Sequence, residues 1–444
     1  MADVVGALGP LVTKLAQAAT ARPDLFSAHL VGALRSLQDR VAPEFIPGLP
    51  DGALLLASGS IAQVYACDSS TIVAPTLTVR PVHADGPERN VWVRAHAASK
   101  EIVSLYPTAD KTHEKAMAAG ASDRRLVVKI QRPSVPGCIA VDRVILGWLL
   151  RARLGRALVG RLCRRPLAID AIDHLMAIVD GGLMGHLNFE AEALHAERMR
   201  AFFAGDSTRA IRVPATSFDP TMPGCLFMER IDGVPISQLA TPAARAAAAH
   251  LLTRSACRMI FELGLVHGDI HQGNVLCADR SIDRSGRSGG DGSDKDDDDM
   301  RSDRSRIAPD ACVTISLLDM GVVYDISPAQ RHCIAVLIRA AVGADPPDLL
   351  AACVYFGSER DGGAWPFARF CQGVAAAVHA GCHGSDLGAL VDHLASVCAD
   401  SKIRMDRDMI ARIAPLVAVD SIARAYGAPS LTVVACSLYR NLFS

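Results

Sequence analysis

One short segment constrains this chain more than any other: Leu265-Val266-His267-Gly268-Asp269-Ile270-His271-Gln272-Gly273-Asn274-Val275-Leu276. Two apolar runs bracket a loop crowded with His, Asp and Asn. Polar groups packed between apolar runs need partners or a task, because burying them unpaired is costly. Asp269 and Asn274 stand five residues apart in that loop. Phosphoryl transfer requires one carboxylate beside the attacking hydroxyl and one amide oxygen on magnesium, and this spacing supplies both. A polar turn capped by Asp and Asn is the plain structural alternative. His267 and His271 lie four apart, but a loop offers no helix face to hold a metal between them, so a zinc pair is not expected.

Four further stretches bear on the same chemistry. Ile315-Ser316-Leu317-Leu318-Asp319-Met320-Gly321 is an apolar strand running into Asp-x-Gly, where a magnesium-binding carboxylate belongs in a phosphoryl-transfer site. Val127-Val128-Lys129-Ile130 places a Lys inside an apolar strand, a costly position unless the ammonium is paired. Its expected partner is an acid in the first turn of the Phe189 helix, where Glu190 and Glu192 are both candidates. Ala57-Ser58-Gly59-Ser60-Ile61 is a run of small residues between two strands, and such a loop lets backbone amides approach a phosphate closely. Leu226-Phe227-Met228-Glu229-Arg230-Ile231-Asp232-Gly233 reads as a strand entering a hinge, where backbone groups of Glu229 and Ile231 meet an adenine.

The chain has 444 residues and half of them are hydrophobic, enough for a sizeable core. Only 5% are aromatic, which favours helices over an all-β sandwich. With 46 Lys and Arg against 47 Asp and Glu, the net charge of -1 carries no signature of nucleic-acid binding. The 13 cysteines include no CxxC pair, so a disulfide framework or structural zinc is not expected, and small buried thiols in a reducing compartment are. Strands are expected near 53–56, 61–66, 126–130, 225–228, 275–276 and 314–318, and helices at 13–21, 25–41, 144–163, 189–203 and 243–263. Everything after Ser327 reads as helical. Residues 68–124 read as an insertion with a short strand at 91–93. Residues 281–311, rich in Ser, Gly and Asp, read as a disordered acidic loop. Its Asp296 to Asp299 run lacks the glycine turn and distal Glu of a calcium loop and reads as a solvated charge run. The order, mostly strands first and helices later, indicates an α+β fold.

Together these residues resemble the UbiB-like (ADCK) atypical kinase family. The likeness extends beyond the generic parts. Lys14-Leu15-Ala16-Gln17, Arg22-Pro23-Asp24-Leu25 and Leu37-Gln38-Asp39-Arg40-Val41 are similar to that family's N-terminal KxGQ extension. Ser60-Ile61-Ala62-Gln63-Val64 is similar to the end of its alanine-rich loop. The departures are local. KxGQ reads with Ala16 in place of Gly, and the family's ExD falls on His186-Leu187-Asn188, so both acids are absent. Asn188 has a role open to it as an N-cap. Gly59 stands where the family usually has Ala, and DFG reads Asp-Met-Gly.

The resemblance implies a two-lobed protein-kinase-like fold: an N-terminal extension at 1–50, an N-lobe at 51–231 and a C-lobe at 232–444. It implies ATP and Mg2+ as cofactors, and a link to isoprenoid-quinone or other lipid metabolism. Lys129 would orient phosphates, Glu192 would hold Lys129, and Asn274 and Asp319 would bind magnesium. Asp269 would position the acceptor hydroxyl or water, and Lys14 and Gln17 would line the site. Two other readings stand beside it: a small-molecule kinase of the aminoglycoside or choline kinase type, and a non-catalytic nucleotide- or lipid-binding scaffold. The basic, apolar stretch from Trp148 to Arg165 suits either a packed helix or an anionic membrane surface. No apolar run long enough for a transmembrane helix and no cleavable presequence is read, so cytoplasmic or peripheral membrane residence is the default expectation.

Overall fold

A computed structural model of the chain describes residues 43–46, 54–67, 126–135, 185–279 and 313–439, with short gaps, and a few isolated positions besides. The helices expected at 13–21, 25–41 and, apart from Val144, 144–163 lie outside the described residues. So do Lys14, Gln17, the strand expected at 91–93, the 281–311 segment and the membrane-facing candidate at 148–165.

The chain forms two compact units. One comprises Met1–Arg198, Pro214–Ile231 and Asp319–Val322; the other comprises Met199–Val213, Asp232–Leu318 and Val323–Ser444. The first is organised by a five-stranded antiparallel sheet. Its strands are β1 (Leu55–Ser58), β2 (Ala62–Cys67), β3 (Leu126–Gln131), β5 (Thr216–Phe218) and β6 (Cys225–Glu229), in the order β1-β2-β3-β6-β5. β3 is central and buried along its first five residues, which is why it reads as an apolar run without alternation. Lys129 sits in register between Val64 of β2 and Leu226 of β6.

The helix α1 (Phe189–Ala204) starts against this sheet, its Phe189 packing with Ala62 and Leu226. Asn188 caps it as expected: its Oδ1 accepts the Ala191 N–H at 3.0 Å. Phe189, Glu192, Ala196, Met199 and Phe203 are all buried. Their spacing of three and four residues makes one continuous stripe, so Glu192 is carried inward while Glu190 is exposed.

In the second unit, β4 (Ile211–Arg212), β7 (Val234–Pro235), β9 (Val275–Asp279) and β10 (Val313–Leu317) form a four-stranded sheet in the order β4-β10-β9-β7. β8 (Leu265–His267) pairs antiparallel with β11 (Val323–Asp325). α2 (Pro242–Arg258) begins with Thr241, whose side chain accepts the Ala244 N–H, followed by Pro242 at the first helical position. The single helix expected to run to Leu263 is corrected: from Met259 to Leu263 the backbone widens into a π-turn, closed by Gly264 at φ +74°. A wider turn adjusts the register with which the chain enters β8.

Six helices follow: α3 (Pro328–Ala341), α4 (Pro347–Phe356), α5 (Phe367–Gly381), α6 (Leu387–Asp400), α7 (Arg407–Ala425) and α8 (Leu431–Leu438). The all-helical reading of this region is also corrected, because Glu359–Arg360 and Ile403–Arg404 pair as two short antiparallel strands. Two-residue strands leave no periodic trace in a sequence.

The α7–α8 corner rests on Asp420, whose Oδ1 accepts the Leu431 N–H at 2.7 Å while Oδ2 accepts Arg424 Nε at 2.9 Å. Asp420→Ala strands a buried donor, and we expect a loss of about 2–3 kcal/mol in urea unfolding, with Asp420→Asn losing less. Nine cysteines among the described residues are free thiols, four of them buried.

Candidate functional site

Lys129 points out of β3 into a cluster of carboxylates. Its Nζ donates to both Glu192 oxygens, at 2.8 and 2.9 Å, and to Asp319 Oδ1 at 3.0 Å. The ammonium also lies 5.5 Å from the centre of the Phe189 ring. Side-chain exposure falls from 27% at Asp319 through 10% at Lys129 to 2% at Glu192. Burial works against the charge on Lys129, but the Asp319 and Glu192 carboxylates outweigh it and raise its pKa, so it is a permanent cation. Burial also disfavours ionisation of Asp319, yet Lys129 and then His186 reverse this and hold it well below the usual carboxylate range. Glu192 is the buried end of the cluster, and burial, opposed by Lys129, pushes its pKa up. Competition between Glu192 and Glu190 is thus resolved by geometry in favour of Glu192.

Asp319 sits in a left-handed backbone conformation, φ +57°. A residue with a Cβ adopts it at a cost of about 1–2 kcal/mol and keeps it only where surroundings enforce it. Several contacts do so here. His195 Nδ1 lies 3.2 Å from Met320 O, and the Gly185–His186 backbone presses directly on Gly321. The imidazole of His186 brings Nδ1 to 3.5 Å from Asp319 Oδ1.

The small-residue loop lies in the same unit. Ser58 pairs with Gln63 across β1 and β2, and the Gly59 N–H bonds Ala62 O at 2.9 Å. Ala57 and Gly59 are exposed, whereas Ser60 and Ile61 are buried. Arg132, which follows β3, holds this loop: Nε donates to Gly59 O at 2.8 Å and a terminal nitrogen to Ser58 Oγ at 2.7 Å. No sequence signal marked Arg132 for this task. At the end of β6 the Glu229 N–H is committed to Ala215 O at 2.8 Å. Between Ile231 and Asp232 the chain passes from one unit to the other.

The loop after β8 organises the second unit's share. His267 is buried; Nδ1 accepts the Asp269 N–H at 3.2 Å and Nε2 lies 2.9 Å from Leu318 O. That pairing places the ring proton on Nε2. His271 is used locally, Nδ1 accepting the Gly273 N–H. Asn274 donates from Nδ2 to Asp269 O at 2.9 Å, which turns its Oδ1 into the acceptor available to a cation. Its own carbonyl accepts the Leu318 N–H at 2.9 Å. Leu318, the residue before Asp319, is therefore held at both backbone polar groups by the loop. Among the described residues no group of three or more His, Cys, Asp or Glu could hold a metal by itself.

The structure thus brings Lys129, Glu192 and Asp319 together in one unit and Asp269 and Asn274 together in the other. The family model of the ABC1 atypical kinase-like domain matches residues 115–351, more than half of the chain. The probable protein kinase UbiB of Pseudomonas putida (strain W619) is 28% identical over 274 residues, 61% of this chain and 43% of that protein. Its counterpart in Cellvibrio japonicus (strain Ueda107) is 25% identical over 276 residues, 61% of this chain and 42% of that protein. The chain thus matches less than half the length of these relatives. A solved structure, the Mycobacterium tuberculosis protein Rv3197 in complex with erythromycin, covers 88% of this chain and 84% of its own, with 17% identity and a TM-score of 0.43. With an α+β fold, a paired strand lysine and a domain match on this scale, the chain belongs to the UbiB-like ABC1 family of atypical kinase-like proteins.

Proposed function

We propose that this protein binds ATP with magnesium and either hydrolyses it or transfers its phosphoryl group, in isoprenoid-quinone or other lipid metabolism. The observation that carries the reading is the ammonium of Lys129, held at 2.8 Å by a buried carboxylate while remaining 3.0 Å from the more exposed Asp319. A buried ion pair is weak evidence for stability, so its retention in a central strand argues for use. Glu192 fixes Lys129, and Lys129 orients nucleotide phosphates. The loop from Ala57 to Ile61, braced by Arg132, covers those phosphates, and backbone groups of Glu229 and Ile231 meet the adenine. Asp319 and the Oδ1 of Asn274 are hard oxygen donors that suit magnesium, an ion that keeps phosphate and water ligands besides. Magnesium–ATP, when bound, supplies the transferable phosphoryl group. Asp269 positions the acceptor hydroxyl or water. The lipid link rests on the family resemblance alone. Lys14 and Gln17 belong to the same reading as residues of the N-terminal extension. No helix among the described residues is long and apolar enough to cross a membrane.

The test is magnesium-dependent ATP binding and hydrolysis in wild type and Asp319→Ala, with and without vesicles of anionic lipid. We expect wild-type turnover and a fall of about 100-fold or more in the variant, the scale on which removal of a preorganised electrostatic group is felt. Equal, negligible turnover in both proteins refutes the enzyme reading. Vigorous use of one soluble hydroxylated acceptor points instead to a small-molecule kinase, and lack of co-sedimentation with vesicles refutes the membrane surface.

A further inference from the structure

His186 is a buried histidine for which the proposed chemistry has no task. Its side chain retains 7% exposure, and it lies two residues before the N-cap of α1. Three nitrogens converge on one oxygen of Asp319. Lys129 Nζ is 3.0 Å from Oδ1, His186 Nδ1 is 3.5 Å from it, and the Gly321 N–H reaches it at 3.4 Å. Among the described residues no such nitrogen is directed at Oδ2. Lys129 is shared with Glu192, so it cannot by itself fix the Asp319 carboxylate plane. The backbone makes the arrangement deliberate. A Cβ on Gly321 would stand 2.9 Å from His186 Nδ1 and 3.2 Å from its Cα, and one on Gly185 would stand 2.7 Å from Gly321 O. The two segments touch so closely that only glycines fit, and this brings the imidazole Nδ1 up to the carboxylate.

We infer that His186 is a positioning residue: it donates from Nδ1 to Asp319 Oδ1 and so presents Oδ2 to the divalent cation of a bound nucleotide. This rests on the magnesium–nucleotide reading above and adds to it the group that aims the metal ligand. Partners of this kind, one step removed from the metal, typically govern metal affinity by about 10–100-fold.

The experiment measures affinity for a non-hydrolysable ATP analogue in magnesium and in EDTA, for wild type, His186→Leu and His186→Asn. The ratio of the two affinities is the magnesium enhancement. We expect His186→Leu to lose about tenfold or more of that enhancement while its EDTA affinity stays at the wild-type level. His186→Asn, whose amide nitrogen can stand where Nδ1 stood, should recover most of it. Full enhancement in folded His186→Leu overturns the inference and leaves the nucleotide reading intact. Absence of enhancement in wild type overturns both. A second measurement holds even where His186→Leu does not fold: nitrogen NMR of the wild-type histidines, assigned against His186→Asn. A protonated Nδ1 supports the inference, and an unprotonated Nδ1 overturns it, since such a nitrogen cannot donate to Asp319.

Discussion

Lys129→Met will unfold more easily than wild type by about 3–5 kcal/mol, the cost of leaving one partner of a buried ion pair uncompensated. The stranded group is Glu192, with 2% of its side chain exposed and two hydrogen bonds to the lost ammonium. Asp319 loses the same donor but keeps 27% exposure and can be hydrated. Pairing the substitution with Glu192→Met should restore most of the loss, because two apolar side chains of similar volume leave no orphaned charge. The deficit carries a pH signature. Burial already raises the Glu192 pKa and Lys129 opposes it, so removing Lys129 raises it further. A carboxyl whose folded pKa lies above its unfolded value binds protons preferentially in the folded state. Its stabilising contribution is present at low pH and is lost as pH rises through the folded pKa. The gap between Lys129→Met and wild type should therefore narrow from pH 8 to pH 5, and vanish as a pH effect in the double variant. Urea midpoints at the two pH values decide this; a deficit constant with pH would mean that Glu192 is not the group left stranded.

Much of this arrangement was legible from the residues. The lysine in β3, the Asp269–Asn274 loop and the strand into Asp319 each break an apolar run with a group that would be costly to bury idle. Resemblance favours Glu192 over Glu190, and the residues carry a signal of their own: Glu192 falls in the buried stripe of Phe189, Ala196, Met199 and Phe203, and Glu190 falls outside it. A carboxylate in the apolar stripe of a helix is the one that needs a buried cation. What was illegible has two physical causes. Strands of two or three residues, such as β4, β7 and β8, are too short to show alternation. His186 and Arg132 act across contacts between segments 133 and 73 residues apart in sequence, and no local pattern encodes such a meeting. Their chemistry is ordinary; only the fold gives it direction.

The second large effect falls at a residue without a side chain. Gly185→Ala puts a Cβ 2.7 Å from the carbonyl oxygen of Gly321 and 3.3 Å from Val322 Cγ2. The oxygen is backbone and cannot rotate aside, so the Asp319–Val322 turn must shift. Overpacking of this kind costs about 1–3 kcal/mol, but the larger consequence concerns Asp319. Its φ of +57° is held by neighbours, among them the Gly185–His186 backbone, and a displaced turn releases it toward ordinary conformations. Once Oδ1 leaves Lys129 and His186, the carboxylate no longer presents a fixed oxygen to a cation. We expect Gly185→Ala to lose magnesium-dependent nucleotide binding about as completely as Asp319→Ala, although no group that touches nucleotide or metal has been removed. Gly224→Ala is the control: its new Cβ would meet nothing nearer than Gln131 at 3.9 Å, so it should stay within about 0.5 kcal/mol of wild type. Calorimetric titration of both variants with an ATP analogue and magnesium separates the cases. Unimpaired binding by Gly185→Ala would mean that the turn is not held by this contact, and that the remaining contacts, Lys129 on Asp319 and His195 on Met320, suffice to keep the conformation of Asp319.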